Sequence, residues 1–539
     1  MKKIVHLAVL TTTFATSLSS FAGPLVIYGE DNRKEVYEAS EFEQKLARSA
    51  ATMVDNANIV AHPKKEGKFI LKQDSLKTWF EAALKEAAEQ AAAEEAAQAA
   101  LDAAAGAAGA GAQSTETTEP PATPVKPLPP TKKFLSDILK SDPEPTISFC
   151  AEERFVDQPN PGACSGFLIA PDLIVTAGHC LTMPRACEDY KWVFDFKVNK
   201  RNQKAGDKIP QENIYSCKRF VSGALNTNYG YDFGVIQLDR DVVGREPLKI
   251  RTEGKVADDA NLVLIGSPSG LPLKVAAGAK VRKNTHPNYF TANTDSYQGN
   301  SGSAVFNAET GVVEGILVRG ENDFVPNLAK FCFESNKCDE GGCRGEDISR
   351  LTSIPEIALN KVFRQVAVTG NLEIVNQVTN LGIWLDFYTA NRVTILMEAA
   401  AAGQAEVVEA LLKAGADASI KDVNGNSTLH YAVKAGGQKA LGLVKSLVAV
   451  KVDINSRNTL GETALFEAVR AGDVELANSL IALGADVTVK NKKGKKIVSL
   501  AKDLENKEFV QTLKVIEKDQ KEVLKQKAKE EKAKKLASK

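Results

Sequence analysis

The sequence has few aromatic residues and no excess of charge of either sign. Aromatic residues make up 6% of its 539 residues, and 68 basic side chains balance 68 acidic ones. Balanced charge argues against nucleic acid or an anionic membrane as the main partner. Beyond the first residues, the chain also lacks an apolar stretch long enough to cross a bilayer. We therefore expect no nucleic-acid partner and no membrane span.

Cysteine is missing from the first 149 residues and from everything after residue 343. An even number of cysteines, eight, confined to one segment is typical of the disulfide framework of an exported protein. A metal site would need Cys or His ligands at close spacing. The nearest candidate set, Cys332, Cys338 and Cys343, lacks the two-residue spacing and has no histidine nearby. We expect disulfides, and neither a metal nor a cofactor.

The amino terminus has the composition of a secretory signal. Lys2 and Lys3 precede an apolar stretch, and small residues around Ala22 offer a cleavage site. We expect residues 1–22 to be a signal peptide cut after Ala22, and the mature protein to be secreted or periplasmic. A membrane anchor fits less well, because His6 and many Thr and Ser interrupt a run already short for a span.

Composition divides the rest of the chain into segments, and its length predicts two or more domains. Residues 24–75 alternate short apolar runs with polar breaks, which is typical of strands. Residues 76–131 begin with an alanine-rich stretch of strong helix formers and continue as a Gly-, Pro- and Thr-rich linker that buries no core. Residues 145–350 carry short apolar runs separated by turns, which favours an all-β sandwich or barrel.

A sequence repeat fills most of the last third. Gly370 and Gly403 are 33 residues apart, as are Leu396 and Leu429, whereas Leu429 and Leu465 are 36 apart. One unit therefore carries a short insertion. Each unit reads as two short helices and a turn that cannot bury its apolar face alone, so the units must stack into a continuous core.

These units resemble ankyrin repeats. "NGNSTLHYA" at 424 and "LGETALFEA" at 460 match the start of the family's unit, and "GAD" at 415 and 484 matches its end. The second of the clear units departs, reading "VKVDINS" without the glycine. The resemblance implies an all-α solenoid at 356–508 with a concave protein-binding face. Residues 509–539 are expected to form a charged helical tail with solvated faces.

Three residues in the β-rich segment carry chemistry in a definite order. His179 in "TAGHC", Asp232 in "DFGVIQL" and Ser301 in "GNSGS" follow one another, each beside an apolar run. A serine hydroxyl is a poor nucleophile until an imidazole takes its proton, and the imidazole needs a carboxylate to hold its tautomer. The order His, Asp, Ser differs from the orders of subtilisins and α/β-hydrolases.

The three motifs resemble those of the trypsin/chymotrypsin-like serine peptidases. The resemblance implies an all-β fold of two barrels, with His179 as general base and then acid, Asp232 as its orienting acid and Ser301 as nucleophile. It also implies a disulfide between Cys164 and Cys180. The oxyanion hole would be formed by the backbone N–H groups of Gly299 and Ser301.

One residue of the nucleophile motif departs from the animal digestive members. They carry, just before the serine, an Asp that pairs with a new amino terminus; here it is the uncharged Asn300. "GNSGS" is similar to bacterial members such as the glutamyl endopeptidases, and "VIYGEDNR" near the start resembles the beginning of their mature chains. We therefore assign residues 23–355 to the peptidase domain, with 76–131 as an insertion. The alternative makes residues 23 to about 145 a removable pro-region.

The resemblance also points to a specificity pocket. Asp295, six residues before Ser301, matches the position where trypsin-like members carry an acid that selects Arg or Lys; otherwise it is a surface loop residue. Acid-specific members have a His where this chain has Leu317, which argues against a preference for Glu. Arg319 in the same strand would either neutralise Asp295 or lie at the pocket rim.

The sequence thus predicts an exported serine endopeptidase that hydrolyses protein substrates through an acyl-enzyme. Its ankyrin repeats would recruit a substrate or dock a protein partner. The alternative is a secreted ankyrin scaffold that binds proteins and carries an inactive peptidase-like domain. No triad residue is missing, which favours the enzyme.

Overall fold

The computed structural model describes residues 27–83 and 148–537 together with residues 85 and 93. Undescribed within these ranges are residue 73 and the short stretches 184, 202, 227–228, 321–322, 328, 331, 340–341 and 381–383. The predicted signal peptide and most of the predicted insertion lie outside the described residues. The described part forms two compact units: one of residues up to 167 with 174–240 and 255–350, the other of 168–173, 241–254 and 351 onward.

The β-strands of the described residues are short and mostly antiparallel. They are β1 Ile27–Tyr28, β2 Arg33–Glu35, β3 Ala50–Asp55, β4 Ile59–Ala61, β5 Lys68–Leu71, β6 Gly162–Ala170, β7 Leu173–Thr176, β8 Tyr190–Phe194, β9 Ile209–Pro210, β10 Ile214–Asn226, β11 Tyr231–Leu238, β12 Asn261–Gly266, β13 Lys274–Lys283, β14 Tyr289–Ala292, β15 Ala304–Asn307, β16 Val313–Arg319, β17 Phe324–Asn327, β18 Cys332–Ser335, β19 Lys337–Cys338 and β20 Glu346–Arg350.

Six strands close into a first barrel in the order β10, β11, β7, β6, β3, β8. Strand β3 comes from the amino-terminal segment and pairs with both neighbours, so that Ala51 lies opposite Gly166 of β6 and Phe194 of β8. Five of its six residues are buried. An unbroken run of buried residues is what a strand inside a closed, packed barrel requires.

Six further strands form a second barrel in the order β12, β15, β16, β20, β14, β13, closed by pairing of β12 with β13. Strand β2, also from the amino-terminal segment, adds to the outer edge of β13. The barrel interior is filled by aliphatic side chains and Phe290, among them Leu264, Val305 and Ile348. Two closed antiparallel barrels confirm the predicted all-β fold of this part of the chain.

All eight cysteines are joined in disulfides. The pairs are Cys150–Cys332, Cys164–Cys180, Cys187–Cys217 and Cys338–Cys343. The sequence left three of these pairings open. The three cysteines considered as metal ligands are all in disulfides and offer no thiolate to an ion.

The helices lie mainly in the second unit. Among the described residues, the first unit contains α1 Glu41–Ala47, α2 Ala186–Asp189 and a helical stretch at 76–83, and the second unit contains α3 Pro355–Thr369, α4 Leu372–Thr379, α5 Ile395–Ala401, α6 Ala405–Lys413, α7 Thr428–Val433, α8 Gly437–Ala449, α9 Ala464–Arg470, α10 Val474–Ala482, α11 Ile497–Ala501 and α12 Lys507–Ala537. The predicted helix of the insertion is helical over 76–83. None of the described helices combines the length and apolarity that a membrane crossing requires.

The second unit stacks helix pairs around one core. Equivalent small residues, Ala399, Ala432 and Ala468, are fully buried and let the first helices of successive pairs approach closely. The stack confirms the predicted all-α repeats. The extra residues of one unit lengthen its second helix, because α8 has 13 residues where α6 and α10 have nine.

The predicted tail at 509–539 differs from expectation in its first turns. Phe509 and Leu513 of α12 are buried in the repeat core, and the Gln520 side chain donates a hydrogen bond to the carbonyl of Ala485 at 3.1 Å. Apolar side chains four residues apart share one helix face, so this face closes the end of the stack. In the sequence, the many charged residues around Phe509 and Leu513 made this short apolar face difficult to recognise.

In the unit without the repeat glycine, the backbone is strained at one turn. Lys451 has a left-handed φ of 66°, where the other units place Gly415 and Gly484 at 96° and 103°. A non-glycine residue there costs about 1–2 kcal/mol.

We expect Lys451→Gly to raise the free energy of unfolding of the repeats by about 1 kcal/mol, because part of the gain is lost to the greater chain entropy of glycine. Urea unfolding of the full chain, followed by helical circular dichroism, measures this; an unchanged or lower midpoint would contradict it, and Gly484→Lys should act in the opposite direction.

Candidate active site

His179 and Asp232, which belong to neighbouring segments of the first barrel, are in direct contact. His179 lies in a helical turn just after β7, and Asp232 lies in β11; both are buried. His179 Nδ1 is 2.9 Å from Asp232 Oδ2, and the backbone N–H of His179 donates to Asp232 Oδ1 at 3.1 Å. One carboxylate therefore fixes both the ring and the main chain of the histidine, which leaves Nε2 as the free ring nitrogen.

Ser301 lies in the loop that joins β14 to β15, and its side chain is buried. Its carbonyl oxygen accepts a hydrogen bond from Ser165 N at 2.8 Å and lies 3.7 Å from Sγ of Cys180, the neighbour of His179. Within the described residues, Ser301 Oγ and His179 Nε2 are both buried without a hydrogen-bond partner. The structure thus brings the serine beside the histidine's segment but does not join the two by a hydrogen bond.

In the turn from Gln298 to Ser303, two backbone N–H groups have no acceptor in the described part of the chain. They belong to Gly299 and Ser301. The N–H groups around them are all used: Gln298 donates to Asp323 Oδ2, Asn300 to the carbonyl of Tyr297, Gly302 to that of Leu317 and Ser303 to that of Asn300. Buried N–H groups are rarely unpaired, so two in one turn indicate a site prepared for an acceptor.

Gly299 is required by its surroundings. Its φ is +91°, and a Cβ at this position would lie 2.7 Å from Gly270 N and 3.0 Å from Ser267 O, both backbone atoms. Backbone cannot move aside as a flexible side chain can. A side chain at 299 would therefore displace the turn that presents the two free N–H groups.

Asn300 stabilises the turn from inside. Its Nδ2 donates to Ser296 Oγ at 2.8 Å, and its Oδ1 accepts from Ser303 Oγ at 3.2 Å. These neutral hydrogen bonds occupy the buried amide. The residue therefore works within the loop and needs no charged partner.

Asp295 is neither a surface residue nor free. Its Oδ1 accepts from Tyr28 N at 2.7 Å and its Oδ2 from Asn32 N at 3.1 Å. Burial raises the pKa of Asp295 to about 6, although these hydrogen bonds and the nearby Arg33 lower it. Its carboxylate thus holds the amino-terminal segment, a role that the sequence did not predict; a preference for basic substrates stays a prediction.

The two strand residues proposed for the pocket have other neighbours than expected. Arg319 Nε lies 3.2 Å from Asp347 Oδ2, so the arginine forms an ion pair with Asp347. One of the two expectations for Arg319 was an ion pair with Asp295; the observed ion pair is with Asp347 instead. The Leu317 side chain is fully buried in the core of the second barrel. Both outcomes depend on the register of β16 against β20, which composition does not specify.

The cysteines beside the histidine form a close group with it. Donor atoms of Cys164, His179 and Cys180 lie within 4.8 Å of one another. Since the two sulfurs are bonded to each other, they are not thiolates and cannot act as ordinary metal ligands. The disulfide instead ties the histidine's turn to β6.

Ser165 is a site residue that sequence reasoning missed. It is buried; its N–H donates to the carbonyl of Ser301, its Oγ donates to the carbonyl of Gly299 at 3.1 Å, and the same Oγ accepts from Ser267 N at 3.0 Å. A small polar residue in the otherwise apolar run "SGFLIA" was the available signal. The hydroxyl of Ser165 thus links the loop of Gly299 to β6 and to the segment of Ser267.

We expect Ser165→Ala to lower the free energy of unfolding by about 1–3 kcal/mol, because the Gly299 carbonyl and the Ser267 N–H would be left buried and unsatisfied. Thermal unfolding measures the effect. Ser479→Ala, which removes an exposed hydroxyl bonded to a helix carbonyl at 2.9 Å, serves as the control and should change stability by less than about 0.5 kcal/mol. Equal effects of the two substitutions would contradict the assignment.

Curated proteins of different kinds are similar to part of the chain. Phosphocholine transferase AnkX of Legionella pneumophila is 32% identical over 150 residues, 27% of this chain and 16% of that protein. NF-kappa-B inhibitor alpha of Homo sapiens is 33% identical over 119 residues, 22% and 38% of the two chains. L-asparaginase of Dirofilaria immitis is 29% identical over 152 residues, 22% and 25%. The chain spans well under half of each relative, and their named activities differ, so none is transferred.

Family models match both units of the chain. A model of the trypsin-like peptidase domain matches residues 164–316, a range that includes His179, Asp232 and Ser301. Models of ankyrin repeats match residues 363–441, as three copies, and 460–492, as one. These matches agree with the two closed barrels and with the stacked helix pairs. The chain carries a trypsin-like peptidase domain followed by ankyrin repeats.

Proposed function

We propose that the protein is a serine endopeptidase that cleaves peptide bonds of protein substrates with His179, Asp232 and Ser301. The observation that carries the proposal is the 2.9 Å contact between His179 Nδ1 and Asp232 Oδ2 together with the unpartnered polar groups beside it. A base already oriented by a buried acid, with a free hydroxyl and two free N–H groups on the loop that contacts the histidine's segment, supports acyl transfer.

Acylation would begin at Ser301. Its Oγ attacks the carbonyl carbon of the substrate while His179 Nε2 takes the hydroxyl proton. Asp232 keeps the proton of the ring on Nδ1 and stabilises the imidazolium that forms. His179 then gives its proton to the leaving amine, and the acyl group remains on the serine oxygen.

The oxyanion would be bound by the loop backbone. In the tetrahedral intermediate, the negative oxygen accepts hydrogen bonds from the N–H groups of Gly299 and Ser301, which lack other acceptors within the described residues. Water, deprotonated by His179, then attacks the acyl carbon; the bond from this carbon to Ser301 Oγ breaks, His179 returns the proton to Oγ, and the carboxylic acid product leaves. These steps involve only side chains and backbone groups of this chain and one water molecule.

A fluorophosphonate probe tests the nucleophile. We expect the mature wild-type protein to be labelled and Ser301→Ala to be unlabelled, because the probe reacts with a serine whose proton is taken by a neighbouring base. Asp232→Asn should remain folded but lose about 10⁴-fold in kcat on a peptide substrate, since the imidazole would take the wrong tautomer.

Two results would contradict this prediction. Labelling that persists in Ser301→Ala would assign the nucleophile elsewhere. A mature wild-type protein that is not labelled at all would favour the alternative, a binding scaffold whose peptidase domain is inactive. Ser303→Ala, two residues along the same loop, controls for general damage to the loop.

We further propose that the peptidase domain spans residues 23–355 and that the mature chain is exported. Support for the extent comes from β3, which is a strand of the first closed barrel, and from β2, which extends the second. If residues 23–145 were a removable pro-region, its loss would open the first barrel. Support for export comes from the four disulfides, which form and persist in oxidising compartments.

We also propose that the ankyrin repeats recruit a protein substrate or dock a partner. The loops between successive units stack through backbone hydrogen bonds, as from Thr459 N to Asn424 O at 2.8 Å and from Lys492 N to Leu460 O at 2.8 Å. Apolar side chains are exposed at these loop tips, Val423 by 48% and Leu460 by 56%. Exposed apolar residues on a regular row of loops support a role in protein binding.

Recruitment predicts a separation between peptide and protein substrates. We expect the pair Val423→Asp and Leu460→Asp in the full-length chain to leave hydrolysis of a short peptide unchanged. Cleavage of a subset of proteins in an extract of secreted or periplasmic proteins should fall about tenfold or more, because tethering raises the effective substrate concentration. Val515→Asp, on an exposed position of α12, is the matched control. If the pair Val423→Asp and Leu460→Asp leaves the set of cleaved proteins and their cleavage rates unchanged, these loop tips have no recruiting role.

A further inference from the structure

We propose that residues 27–35, here called the amino-terminal clamp, set the position of the loop that carries Ser301. The inference rests on the proposed function and names positioning residues for it: Asp295 and Tyr297 on the loop, and Arg33 on the clamp. The clamp would do this as a continuous part of the folded chain, through its own backbone and one guanidinium group.

The loop needs anchors from outside. It runs from Asn293, after β14, to Ser303, before β15, and contains no regular secondary structure. A buried loop cannot satisfy its polar groups by a strand ladder and must bond to neighbouring segments. Its second half bonds to β6 and β16 through Ser301 and Gly302. Its first half bonds to the clamp, and also to Ser335 through the Tyr297 hydroxyl and to Asp323 through the N–H of Gln298.

The first anchor is the Asp295 carboxylate. The backbone N–H groups of Tyr28 and Asn32 donate to its two oxygens, at 2.7 and 3.1 Å. Asp295 is 2% exposed, so these contacts are shielded from water. Hydrogen bonds to a buried carboxylate are stronger than neutral ones, and two donors from one short segment fix both the position and the orientation of the carboxylate.

The second anchor is a cation stacked on an aromatic ring. The Arg33 Cζ lies 3.9 Å from the centre of the Tyr297 ring, and Arg33 is 1% exposed. The guanidinium is held in place by Asp31, to whose two carboxylate oxygens Nε and Nη2 donate at 2.8 Å each. A desolvated cation over a ring contributes more than an exposed one. Tyr297 is two residues from Gly299, whose N–H is one of the two free donors.

The clamp is itself fixed to the second barrel. Strand β2 pairs with β13, and Lys274 Nζ contacts Glu35 Oε2 at 3.1 Å with both side chains buried. Arg154 donates to the backbone carbonyls of Asp31 and Arg33 at 2.8 Å. The clamp therefore transmits the position of the barrel to the loop and is more than a flexible end laid across it.

Small displacements of this loop should affect catalysis strongly. The two free N–H groups must meet an oxygen that develops charge in the transition state, and an error of about 1 Å in such a placement costs about 10²-fold in rate. Loosening the clamp is therefore expected to lower kcat and to leave KM nearly unchanged.

The test uses Asp295→Asn and Tyr297→Leu in the full-length mature protein, because each leaves the Arg33–Asp31 pair intact. Assays are run near pH 8, where Asp295 is ionised because burial raises its pKa only to about 6. We expect each variant to lower kcat about tenfold or more, with KM within about twofold, on a peptide substrate without Arg or Lys, for which the predicted pocket role of Asp295 does not enter. The double variant should lose less than the product of the two effects, because both residues act through one loop.

A second readout does not depend on activity. Amide hydrogen exchange of residues 293–303 should become faster in both variants, while exchange in the first barrel stays unchanged. If the wild type proves inactive but exchange in the loop accelerates as expected, the proposed function fails and the clamp stands. If a variant does not fold, the other carries the test.

Arg240→Met is the matched control. Arg240 stacks on Tyr215 of the first barrel with Cζ 4.0 Å from the ring centre, and it has no contact with the loop. Its removal should change neither kcat nor loop exchange. The proposal is overturned if Arg240→Met reproduces the losses, if kcat and loop exchange stay at wild-type values in both loop variants, or if KM rises in proportion to the loss of kcat/KM.

Discussion

The hydrogen bond from Ser165 N to the carbonyl of Ser301 is the constraint on which the arrangement of the site depends. It joins a strand of the first barrel to the loop of the second that carries the proposed nucleophile. The same strand holds Cys164, whose disulfide to Cys180 fixes the turn of His179. The proposed base and the proposed nucleophile are therefore both positioned against one strand, β6, and not independently by two barrels. A shift of β6 would move them together and preserve their separation.

The amino-terminal segment is a structural part of the site. Its strand β3 closes the first barrel, its strand β2 lengthens the second, and the residues before β2 bond to Asp295. In the animal digestive peptidases the comparable loop is fixed by a new amino terminus on an Asp next to the serine. Here that neighbour is Asn300, which bonds within the loop. The order of the loop is thus supplied by contacts already present in the uncut chain from Tyr28 onward.

The sequence was sufficient to predict those features that depend on a short, contiguous stretch of residues. Each of the motifs around His179, Asp232 and Ser301 is a contiguous run of residues, and the repeats are recognisable by their 33-residue period. Both fold classes, the all-β barrels and the all-α repeats, could therefore be predicted. The partner of Asp295 lies 267 residues away, and the partner of Arg319 depends on strand register. Such contacts arise from topology, which composition and local spacing do not encode.

The polar groups without hydrogen-bond partners at the candidate site explain why the loop of Ser301 is anchored by so many contacts to neighbouring segments. Each buried polar group left without a partner costs about 1–3 kcal/mol, and Ser301 Oγ, His179 Nε2 and two backbone N–H groups are in that state within the described residues. A loop free to relax would turn these groups toward partners. Buried charges such as Arg33 add little net stability after desolvation. Their more direct effect is to hold the loop in the conformation that leaves its donors open for a substrate.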